Sequence, residues 1–145
     1  MPDADYFFAF DDLAALAVIE AGGPSFVGLD VIFLKDIDPV DAIAQLEAVM
    51  TNCSYEEACQ RPGVGQLLSS EDVDSPFVLT VSDTLFDVLA SASRDSIVAA
   101  AEAWTSGGGV VGLDTATATV IVEALVGLAK RARFADLRLY CWWTL

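Results

Sequence analysis

The chemistry open to this chain starts at Asp36 and Asp38, two carboxylates two residues apart directly behind the apolar run Val31–Leu34. At the end of a strand, such a pair can share a hard, oxygen-seeking cation such as magnesium. Asp38 also has a structural use: an aspartate before Pro39 caps a helix, and the proline takes the first helical position, where its missing N–H costs nothing. The sequence contains no histidine. That removes Ser–His–Asp and Cys–His mechanisms, histidine-ligated zinc and histidine proton shuttles. An enzyme built from this chain would have to use carboxylates, cysteine, tyrosine, lysine or a bound metal. Gly107, Gly109 and Gly112 spell GxGxxG, but a helix rather than a strand precedes them, and Asp114 would repel phosphate at the next helix start. A hinge or loop is expected there.

After an apolar strand, Asp36-Ile37-Asp38-Pro39-Val40 resembles the nucleophile motif of haloacid-dehalogenase-type phosphatases. The catalytic lysine and the downstream acidic pair of that pattern are not identifiable here. An EF-hand loop fails as well, because Pro39 and Asp41 break the ligand spacing and no glycine makes the turn. Glu71, Asp72 and Asp74 make an acidic segment, read as a solvated loop or as a docking segment for a basic partner. Tyr140 and Trp142 fall on one face of a C-terminal strand and would form a hot-spot-like patch if that face is uncovered. Together with Trp104 they are also candidates to line a small-molecule pocket between sheet and helices.

Charge narrows the choice of partner. The chain of 145 residues is 54% hydrophobic yet carries a formal net charge of −15. That apolar content decides against disorder, so the acids are expected to form a negative shell around an apolar interior. The balance is uneven. Residues 1–129 hold 21 acids and 3 bases, or −18, whereas residues 130–145 hold 4 bases and 1 acid, or +3. Nucleic acid and anionic membrane surfaces are disfavoured, since both need a basic footprint. A basic protein partner is allowed. Cys53, Cys59 and Cys141 are odd in number and lack CxxC spacing, and no stretch has a membrane-spanning pattern. A reduced, soluble, cytoplasmic protein is the expectation.

The elements that must position these residues follow from periodicity. Tyr6–Phe10, Val27–Leu34, Phe77–Val81 and Leu137–Thr144 read as strands. The second is nearly all apolar and is expected at the centre of the sheet. Helices are expected from Asp12 to Glu20 with Leu13, Leu16, Ala17 and Ile19 near one face, from Pro39 to Met50, and from Tyr55 to Gln60. Two more follow, on Leu85, Val88, Leu89 and Ala92 and on Ile97, Ala100, Ala101 and Trp104. A long helix capped by Asp114 then carries Val120, Ile121, Ala124, Leu125, Leu128 and Ala132. Residues 1–145 read as one α+β domain, a small sheet of about four strands covered by helices with the C-terminal strand in the sheet. α/β is the alternative, with the first two strands as a parallel pair. The final strand is also a candidate edge for pairing across a homodimer.

The run Phe33-Leu34-Lys35-Asp36-Ile37-Asp38-Pro39, the Tyr55–Glu56 segment, Leu85–Trp104 and the closing Leu139-Tyr140-Cys141-Trp142 carry an end-to-end resemblance. The chain resembles a set of small, acidic, uncharacterised actinobacterial proteins. The resemblance implies a self-contained cytoplasmic domain and no assigned activity, so it transfers no functional residue. The sequence favours a non-enzymatic interaction domain of inhibitor, immunity or antitoxin type that binds a basic protein. The alternatives are a magnesium-assisted hydrolase centred on Asp36 and Asp38, and a small-molecule module with an aromatic pocket.

Overall fold

In a computed structural model of the chain, residues 3–9, 11–20, 31–35, 39–68, 77–106 and 114–144 are described. The long helix α6, Thr115–Phe134, buries seven side chains. Asp114 caps it by accepting the N–H of Thr117 at 2.7 Å, and Arg131 and Arg133 occupy its last turn, where the helix dipole favours cations. The helix ends in a Schellman turn: Asp136 N–H donates to Arg133 O, and Leu137 N–H donates to Ala132 O. Asp136 adopts the left-handed conformation this turn needs, with φ at 59°. The chain reverses there and enters β4, Arg138–Thr144.

β4 lies inside the sheet. Its partners are β1, Asp3–Ala9, and β3, Phe77–Thr80; β2, Val31–Lys35, pairs with the other side of β1. The order is β2-β1-β4-β3 and every pairing is antiparallel. Three sequence expectations are thereby corrected. The β1–β2 pair is antiparallel, so the fold is α+β and not α/β. β2 stands at an end of the order, not at its centre. β4 is bonded on both sides and offers no edge for a homodimer. The free side of β3 meets residues 65–68: Gly65 and Leu68 donate to Thr80 O and Val78 O, and Thr80 donates to Gln66 O. This strap covers an edge that would otherwise invite another strand.

The two faces of the sheet bury different layers. Tyr6, Leu79, Leu139 and Cys141 point to the main core, where they meet α2 (Pro39–Thr51), α4 (Asp83–Ala90), α5 (Arg94–Ser106) and α6. Phe7, Ala9, Val78 and Tyr140 point the other way and pack with Ala15 of α1 (Asp12–Glu20). The alternation is the period of a strand buried on both sides. α5 buries Ile97, Ala100, Ala101 and Trp104 as its spacing predicts. α6 and α1 depart from expectation in part. α6 buries the expected Leu125, Leu128 and Ala132 together with Ala118, Val122, Val126 and Ala129, and leaves Val120 66% exposed. α1 buries Ala15 and leaves Leu13 77% exposed.

Candidate functional site

One end of the sheet gathers polar side chains from four elements. β1 runs out at Ala9, and Asp11 then caps α1 by accepting the N–H of Ala14 at 2.9 Å, which places Asp12 in the first turn. Tyr140 reaches this turn from β4, and its hydroxyl donates to Asp12 Oδ1 at 2.8 Å. Its ring, 5.9 Å from that of Phe7 between centroids, is buried. Arg138, the first residue of β4, pairs at 3.0 Å with Asp83 Oδ1 at the start of α4. A hollow of about 210 Å³ opens between these groups, Thr80 and Gln66. A second of about 320 Å³ adjoins it, lined by Asp11, Asp12, Leu13, Arg138 and Tyr140. Burial, followed by the hydrogen bond to Asp12 and that carboxylate's negative charge, pushes the Tyr140 hydroxyl well above its ordinary value. It therefore stays protonated near neutrality and serves as a fixed donor, not as a base. The cleft can bind and orient a ligand; its described side chains supply no activated nucleophile.

A second polar cluster is interior. Glu47 on α2 is 1% exposed and is held from three directions. Arg61 Nη1 pairs with Oε2 at 3.0 Å, Thr84 Oγ1 donates to Oε2 at 2.9 Å, and Ser82 Oγ donates to Oε1. Arg61 also donates to Thr51 Oγ1 at 2.8 Å. Its guanidinium is raised above the ordinary arginine value, chiefly by the hydrogen bond to Glu47. Ser82 is itself the N-cap of α4 and accepts the N–H of Leu85. A serine used as both cap and carboxylate donor, and buried to 2%, is not a nucleophile open to substrate. The cluster ties α2, the start of α4 and the C-cap of α3 (Tyr55–Gln60) together. In the sequence Glu47 is one acid on a helix of mixed polarity, and only the tertiary pairing singles it out.

The residues singled out from sequence divide in two. Asp36, Asp38, Glu71, Asp72 and Asp74 lie outside the described residues. Among the described residues, no group of three or more cysteine, aspartate or glutamate side chains is assembled to hold a metal ion. Tyr140 and Trp142 do share a face, but that face is covered: Tyr140 is 2% exposed, and Trp142 packs half-buried against the same cluster. Trp104 belongs to the core on the opposite face, so the three aromatics do not line one pocket. Tyr140 still reaches the surface cleft through its hydroxyl. Asp12 and Asp83 were missed as site residues because each reads locally as a helix-start acid. The chain matches no family model, no curated protein and no solved structure.

Proposed function

We propose that this protein is an acidic, non-enzymatic interaction domain whose partner is a basic protein, of the kind an inhibitor, immunity protein or antitoxin binds. The observation that carries this reading is how the charge is spent. Among the described residues, Arg61, Arg133 and Arg138 each pair with a carboxylate of the same chain. Lys130 donates to the carbonyl of Ala92. The exposed acids nevertheless outnumber the exposed bases: Asp11, Asp12, Glu56, Glu57, Asp87, Asp95, Asp114 and Glu123 are all exposed, against Arg94, Lys130, Arg131, Arg133 and Arg138. An excess of exposed carboxylates over exposed cations leaves a field that accelerates encounter with a basic surface and repels nucleic acid. Among the described residues, no helix is long and apolar enough to cross a membrane.

The test is capture from host lysate on immobilised protein at low and moderate salt, followed by reconstitution with whatever is retained. A basic protein that re-forms a stoichiometric complex at moderate salt is the expected result. Retention of nothing, or of material that washes away without saturation, would overturn the proposal. The magnesium-assisted hydrolase remains the second proposal, with Asp36 and Asp38 as its metal ligands, and it rests on their spacing alone. Magnesium titration of Asp36→Asn and Asp38→Asn tests it, and an unchanged metal response in both variants would sink it.

A further inference from the structure

The end of the sheet that holds the cleft also carries the two most exposed large apolar side chains among the described residues. Phe134, the last residue of α6, is 96% exposed, and Leu13, in the first turn of α1, is 77% exposed. Leu13 lines the larger hollow with Arg138, and the turn Ala135–Asp136 joins Phe134 to the residues leading into Arg138. Single exposed apolar residues need no explanation. Leu13 in the wall of a hollow and Phe134 four residues before Arg138, at a sheet end that carries carboxylates, have the form of interface anchors within a polar rim.

Resting on the reading of the protein as a binder of basic partners, we propose that Leu13, Phe134 and the cleft of Asp12, Asp83, Arg138 and Tyr140 form its docking surface, which takes a basic segment bearing an apolar side chain. Charge complementarity selects this occupant. Asp11, Asp12 and Asp83 line the site, and the one guanidinium among the described residues that line it, Arg138, is already paired with Asp83. A second copy of the chain would bring like charges together and is disfavoured. Size agrees. The hollow of about 210 Å³ suits one inserted side chain, and the adjoining hollow of about 320 Å³ beside Leu13 has room for a neighbouring residue of the same segment. Among the described residues, Tyr140 and Arg138 each engage Oδ1 of their carboxylate, and a carboxylate accepts up to about four hydrogen bonds, so Asp12 and Asp83 have acceptor sites for an incoming guanidinium or ammonium group.

The test uses the full chain with two fluorescent probes of equal charge, a short peptide of alternating arginine and leucine and its arginine–glycine counterpart. Binding is followed by anisotropy at moderate salt and mapped by amide chemical shifts. The leucine probe should bind about tenfold more tightly, with shifts at residues 11–13, 83 and 134–138. Leu13→Ser and Phe134→Ser should each erase most of that advantage, and since both side chains are solvent-exposed the variants should fold. Equal binding of both probes, or shifts elsewhere that the two variants leave unchanged, would overturn the docking surface while leaving a general preference for basic partners. Failure of both probes to bind would overturn both readings. Dimerisation through this face, seen by light scattering and lost in Phe134→Ser, would replace the basic segment by a second copy.

Discussion

Two buried polar residues show how single side chains constrain this molecule, each in a different way. Glu47 is an anion with no route to water except through its partners, so its cost of burial is offset only while Arg61, Ser82 and Thr84 stay in place. Glu47→Ala removes the acceptor that Arg61, Ser82 and Thr84 share and leaves a cavity. It should cost about 2–4 kcal/mol, measured by urea unfolding. Loss below about 0.5 kcal/mol would mean the cluster is dispensable. Tyr140 is neutral, and its environment keeps it so. Its folded-state value lies above the ordinary 10.0, so above about pH 10 the unfolded chain releases a proton that the folded chain retains. The stabilisation is fully present below that pH and is lost as pH rises toward the folded-state value. Tyr140→Phe should therefore be slightly less stable at neutral pH, through loss of the bond to Asp12, and show a shallower decline between about pH 10 and 11.5. An unchanged alkaline decline would exclude Tyr140 as its source.

Local signals made the helices easy to place and their orientation hard. Asp11, Ser54, Ser82, Ser93 and Asp114 all accept an N–H from the first turn that follows them, so helix starts could be read from short polar residues. The buried face of α6 was not legible in the same way. Between Ala118 and Ala132 apolar residues occupy nearly every side, and Val120, Ile121 and Val122 are chemically alike. Only the neighbours decide that Val122 is buried and Val120 is not. A lysine at each position separates them. Val122→Lys places a charge in the core and should cost about 3 kcal/mol or more, whereas Val120→Lys should stay within about 0.5 kcal/mol. Equal costs would contradict the observed rotation of the helix. Strand order was likewise invisible, because pairing of β4 with both β1 and β3 is a long-range choice that alternation does not encode. The cleft fell in the same blind spot: Asp12, Asp83 and Tyr140 are far apart in the chain and meet only because β4 runs between β1 and β3. At the end of α6, Asp136 holds a left-handed conformation suited to glycine and sets a negative charge at the negative end of the helix dipole. Asp136→Gly should stabilise the fold by up to about 1 kcal/mol in thermal or urea unfolding; destabilisation would show that the carboxylate has a structural partner.

At the scale of the whole molecule, the net charge of −15 opposes the compactness that the core provides. The interior is apolar and small-residue rich, with α6 packed against one face of the sheet, α5 packed on α6, and α1 against the other face. The exposed carboxylates outnumber the cations available to neutralise them, and the surface pairs Arg133–Asp87 and Arg138–Asp83 are solvent-exposed, so they return little. Self-repulsion should then exceed surface pairing in the overall electrostatic balance. Salt distinguishes the two contributions, because screening shortens the reach of both to about 10 Å at 0.1 M. If repulsion dominates, raising sodium chloride from about 0.01 M to about 0.3 M should stabilise the protein by about 1 kcal/mol, or about 4 °C in melting temperature. If ion pairs dominate, the melting temperature should fall instead. The same excess of negative charge should make association with a basic probe weaken steeply over that range while folding strengthens. Opposite salt responses of stability and binding, measured on one sample, would identify the exposed acids as a cost to folding that is recovered on association; parallel responses would remove electrostatic recognition as the reason for the charge.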